Sequence, residues 1–93
     1  MRRIDRTNRF KQDFKRELKG QFRSILVSAL TPILEQLAND QTLELKYRDH
    51  ALTGIWKNHR DCHIKPDLVL IYMKPDDETL VLERLGSHSE LGL

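Results

Sequence analysis

Ninety-three residues, 39% of them hydrophobic and 32% charged, predict one soluble globular domain spanning residues 1–93 and exclude a disordered chain. No apolar run approaches the roughly 20 residues that cross a bilayer, and the basic start MRRIDRTNRF lacks the apolar stretch of a signal peptide, so a cytoplasmic protein with no membrane partner is expected. The net charge of +2 is unevenly spread: residues 1–24 hold nine Lys/Arg against three acids, whereas residues 76–93 hold five acids against Arg84. A basic first quarter suits a polyanionic partner, nucleic acid or acidic protein, or else a solvated helix face.

From Asn8 to Leu18, the apolar residues Phe10, Phe14 and Leu18 recur every four positions, which predicts a short amphipathic helix. Gly20 is a stop or hinge after it. The next stripe is longer. Phe22, Ile25, Leu26, Ala29, Leu30, Ile33, Leu34 and Leu37 hold a period of 3.6, predicting a helix kinked at Pro32. Farther on, Ile55–Lys57 and Arg60–Ile64 read as a strand pair or one bent strand. Leu68–Met73 is an apolar run of β-formers and reads as a central strand. Lys74–Glu78 is turn chemistry, and Thr79–Leu85 completes a hairpin. Helices followed by strands predict an α+β domain, two N-terminal helices packed on a small antiparallel sheet.

All four histidines, His50, His59, His63 and His88, lie in the second half. Histidine exchanges protons near neutrality, although a lone histidine is more often structural than catalytic. In Arg60–Lys65, alternation sends Cys62 and Ile64 to the core and places Asp61, His63 and Lys65 together on the open face. Carboxylate, base and cation on one face suit acid–base work on a phosphate; a solvated edge explains Asp61 and Lys65 as well. Cys62 and His63 point apart, and no C-x-x-C spacing occurs, so neither metal nor any other cofactor is expected. A core-facing Cys62 would be inert.

Tyr47-Arg-Asp-His50, Leu52-Thr-Gly54, Trp56-Lys57, Arg60-Asp-Cys-His63, Lys65-Pro-Asp67, Leu70-Ile-Tyr72 and Arg84-Leu-Gly-Ser-His88 together resemble the YafQ branch of the RelE/ParE toxin superfamily. The resemblance runs from about Lys46 to Leu91. It implies a RelE-like fold and the toxin of a type II toxin–antitoxin system. Such a toxin is a metal-independent endoribonuclease that cuts mRNA in the ribosomal A site and is restrained by a cognate antitoxin. It places catalytic groups on His50, His63, Asp67 and His88 and a phosphate-binding arginine on Arg84, with Lys57, Arg60 and Lys65 as supporting cations. His88 is expected as the general acid, with His50 or His63 as the base. Leu68 and Gly92 stand where the family often has Trp and Phe, and both positions are expected near the mRNA path. Two other readings share the fold: a ParE-like toxin that poisons gyrase, and a catalytically weak module that binds antitoxin or nucleic acid.

Overall fold

The computed structural model describes all 93 residues. Its centre is a five-stranded sheet in the order β1-β5-β4-β3-β2, formed by Arg3–Arg6 (β1), His50–Ala51 (β2), Arg60–Lys65 (β3), Leu68–Met73 (β4) and Thr79–Gly86 (β5). All neighbours are antiparallel except β1, which lies parallel to β5 at one edge. β1 has one apolar residue, Ile4, among three charged ones, so it gives no strand signal in the sequence. The expected strand at Ile55–Lys57 is instead a 3-10 turn over Gly54–Trp56, and the outer partner of β3 is the two-residue β2. Because β2 pairs only with Asp61 and Arg60, the outer edge of β3 beyond them carries no strand.

Helix α1 (Asn8–Glu17) is capped by Thr7, whose hydroxyl accepts from the Phe10 amide at 3.0 Å. The orphan amides of a helix start require such an acceptor. Helix α2 (Leu26–Ala38) starts later than its apolar stripe, since Phe22 and Ile25 lie in the preceding turns and Phe22 still packs on the core. It runs unbroken through Pro32. Pro32 and Ser28 are both exposed, so solvent can satisfy the Ser28 carbonyl that proline leaves without a donor.

Both helices cover one face of the sheet. Phe10, Leu26, Leu30, Ile33 and Leu37 meet Cys62, Ile64, Leu70, Tyr72, Leu80 and Leu82 in a continuous core. The Tyr72 hydroxyl donates to Asp49 at 2.6 Å, which resolves its burial. Where β1 ends, α1 takes over the edge of β5: Asp13 accepts from the Leu85 amide at 3.0 Å and Arg16 donates to the Leu85 carbonyl at 2.8 Å. A final helix, α3 (His88–Leu91), closes the chain.

Candidate active site at a histidine cluster

Alternation along β3 puts Cys62 and Ile64 against the helices and turns Asp61 and His63 to the opposite face. The register sets His50 beside Asp61 and His63 beside Val69, which itself faces Gly86 at the end of β5. His88 enters two residues later. The ring centroids of His63 and His88 are 5.0 Å apart and those of His50 and His63 are 6.4 Å apart, each pair edge to face. Three imidazoles from β2, β3 and α3 thus meet at one place, as the resemblance implies, with Asp67 beside them.

His88 lies beyond β5 and opens α3. Ser87 caps that turn with a reciprocal Ser87–Glu90 capping box. Gly86 is the last residue of β5. A Cβ there would fall 2.7 Å from Arg16 Nη2 and 3.1 Å from Glu90 Oε1, so glycine makes room for the Arg16–Glu90 ion pair that fastens α3 to α1.

Asp67, in the β3–β4 turn, accepts from the His88 backbone amide at 3.0 Å and from its ring Nδ1 at 2.8 Å. Those two donors hold the Asp67 carboxyl below its ordinary range. An ionised Asp67 fixes His88 as the Nδ1–H tautomer and leaves Nε2 for chemistry. His50 is set the same way: its Nδ1 lies 2.7 Å from the Arg48 carbonyl, which can only accept. The Asp61 carboxylate lies 3.2 Å from the same nitrogen. Asp61 is buried beneath the histidines rather than exposed, and desolvation raises its pKa against the pull of the imidazoles. Burial lowers the pKa of His63, and the positive charges of His88, Arg48 and His50 lower it further, while Asp61 opposes them.

The cations arrange differently from expectation. Arg60 shares the helix-side face with Cys62 and pairs with Asp49 at 3.2 Å, away from the histidines. The alternation that sorts Cys62 from His63 also sends Arg60 to the wrong side. Arg84 is bidentate to Asp13 at 2.7 and 3.3 Å, with 11% of its side chain exposed. Lys57 is exposed past the Gly54–Trp56 turn and does not line the groove beside the cluster. That groove, of about 610 Å³, runs along the free edge of β3 between α2 and the histidines, and is lined by Lys46, Arg48, His63, Lys65 and His88. Lys65 is thus retained. Arg48 and Lys46 were missed, although both lie within four residues of His50. Leu68 is fully buried in the helix-side core, on the sheet face away from the histidine cluster. Gly92 terminates α3 at φ 72°, a left-handed conformation that a phenylalanine would adopt only under strain.

No group of three or more His, Cys, Asp or Glu side chains is arranged to hold a metal ion, and no helix is long and apolar enough to cross a membrane. The chain matches the family described as a bacterial toxin of type II toxin–antitoxin system, YafQ, over residues 2–92. It is 37% identical over 91 residues to the mRNA interferase toxin YafQ of Escherichia coli BL21, covering 95% of this chain and 97% of that protein. Two further curated YafQ toxins, from Haemophilus influenzae and E. coli K12, match at 47% identity over stretches that span 59% and 56% of their lengths. Among solved structures, a metal-bound toxin from Helicobacter pylori is 43% identical with a TM-score of 0.87, covering 98% of this chain and 99% of that one. The toxin in the E. coli DinJ–YafQ complex is 35% identical with a TM-score of 0.83, covering 98% of each chain.

Proposed function

This chain belongs to the YafQ family of type II toxin–antitoxin toxins, and we propose that it is a ribosome-dependent endoribonuclease that cuts mRNA by metal-independent acid–base catalysis. The reaction is attack of a ribose 2′-hydroxyl on the adjacent phosphate. The 2′-proton passes to a base, the phosphorus–O5′ bond breaks, and an acid protonates the leaving oxygen, giving a cyclic phosphate and a free 5′-hydroxyl. His63 is the base, since burial and neighbouring positive charge favour its neutral form. His88 is the acid, oriented by Asp67. His50 completes the cluster with Nε2 free for the substrate, and Lys65 supplies positive charge in the groove.

The observation that carries this reading is the meeting of three imidazoles from three elements, two of them with Nδ1 committed to an acceptor. Such a set leaves the outer nitrogens for proton transfer. Mapping the 5′ ends of a translated message tests it. The wild-type protein should cut within the translated region only when ribosomes are present. His88→Ala should lower the cleavage rate by roughly 10²-fold or more with an unchanged fold. An intact message with the wild-type protein, or wild-type cutting by His88→Ala, overturns the reading.

The partners follow from the same family: a cognate antitoxin, as the E. coli toxin has in DinJ, and in the cytoplasm the ribosomal A site with its mRNA. An apolar cleft of about 580 Å³ between β1, α1 and α2 exposes Phe14, Val27 and Leu34 with Arg6, Lys11 and Lys15 around them. An acidic amphipathic segment of the antitoxin fits that combination.

A further inference from the structure

The phosphate needs a cation, and the arginine expected to provide it is engaged elsewhere. Arg84 is held on Asp13, Arg60 on Asp49 across the sheet, and Lys46 lies 3.6 Å from Glu44. Arg48 differs from all three. It is exposed, has no carboxylate partner, and lines the groove with Lys65, His63 and His88.

Its backbone points the same way. Arg48 has φ 49° and ψ 43°, the left-handed conformation that a residue with a Cβ adopts against steric preference. Anchors on both sides hold it there. Its amide donates to the Leu45 carbonyl at 3.0 Å. Its carbonyl accepts from His50 Nδ1, and the next residue, Asp49, is fastened by the Tyr72 hydroxyl at 2.6 Å and Arg60 at 3.2 Å. Strain kept by surrounding contacts is characteristic of functional segments. Here it links the guanidinium and the His50 ring through one residue.

We propose that Arg48 is the phosphate-binding cation of this site, contacting the RNA backbone where it passes His63 and His88. The proposal rests on the nuclease reading for its substrate, yet it concerns binding and can be tested apart from cleavage. A guanidinium free of intramolecular partners can offer two N–H donors to a phosphate, which a lysine cannot reproduce. The groups facing His63 are Asp61, which favours its charged form, and His88, Arg48 and His50, which oppose it. Removing Arg48 therefore raises the pH at which His63 titrates.

The test uses the full chain with Arg48→Gly, which accepts the left-handed backbone without strain, and Arg48→Lys, which keeps the charge. The probe is a short RNA carrying one 2′-deoxy residue, which cannot be cut there. Arg48→Gly should weaken binding roughly tenfold and reduce the slope of log affinity against log salt by about 0.7, one phosphate contact on a single strand. Arg48→Lys should restore the slope and only part of the affinity. In NMR titrations the His63 ring should titrate at higher pH in Arg48→Gly than in wild type. Unchanged affinity, slope and His63 titration in Arg48→Gly overturn the proposal. If His88→Ala still cuts mRNA while Arg48→Gly loses the slope, the histidine mechanism fails and the phosphate site stands.

Discussion

On the helix-packed face of the sheet, fifteen buried residues form one core, whereas the other face buries Val69, Ile71 and Leu91 against Leu52 and Trp56. Strand β3 belongs to both: Cys62 and Ile64 look into the larger core, Asp61 and His63 into the histidine cluster. The larger face supplies stabilisation through apolar area removed from water. The smaller one holds a buried carboxyl raised by desolvation and three imidazoles, groups that lower stability unless partnered. A domain of this size can carry such a site because the helices supply most of the apolar burial on the other side.

The largest effect should come from the helix-packed face. Leu30, on α2, is buried within that core. Leu30→Ala should cost about 2–5 kcal/mol in denaturant melts, since both transfer free energy and a cavity are lost. Cleavage per folded molecule should stay unchanged. A loss below about half a kcal/mol, far under the range for a buried leucine, would show that this face does not dominate stability.

A smaller effect belongs to the seam between α1 and β5. Burial pushes the Asp13 carboxyl up, but hydrogen bonds from Arg84 and the Leu85 amide outweigh it and leave the pKa below its ordinary 3.8. A carboxyl whose folded value is depressed stabilises fully above its unfolded value, and that contribution disappears as pH falls through the folded one. Asp13→Asn should therefore cost about 1–3 kcal/mol at neutral pH. The gap between variant and wild type should close as the pH drops below 3.8. Urea melts across that range decide it, and a gap independent of pH would mean that Asp13 acts through shape alone.

Much of this division was legible in the residues. The stripe of α2 and the apolar run Leu68–Met73 announced the core, because a regular period of apolar residues leaves few alternatives. The site was legible by resemblance through His50, His63, Asp67 and His88, and alternation along β3 placed His63 opposite Cys62. What escaped depended on distant partners. β1 is a strand because β5 offers it an edge, and Arg84 is occupied because α1 brings Asp13 to it. Leu68, expected near the mRNA path, packs instead in the helix-side core. Arg48 could have been noticed as the cation nearest His50 in the chain, yet its freedom from carboxylates shows only in three dimensions.

The smallest effect tests whether the chemistry is confined to the cluster. His59 sits on the face of the small hydrophobic group, its ring 5.2 Å from Trp56 and edge on to it. Its Nδ1 is 3.1 Å from the Lys57 carbonyl and its Nε2 is 3.5 Å from Glu83. Both ring nitrogens therefore have protein partners, whereas His50 and His88 each leave Nε2 outside such contacts. His59→Ala should remove an aromatic contact worth about 0.5–1.5 kcal/mol of stability. Message cleavage should stay near the wild-type rate, because no proton-transfer group is lost. Parallel melts and cleavage assays on His59→Ala and His88→Ala give the comparison its sharpest form. His59→Ala should melt earlier and cut, and His88→Ala should melt normally and fail to cut. If His59→Ala also stops cutting while remaining folded, then the catalytic region extends along this face to Trp56.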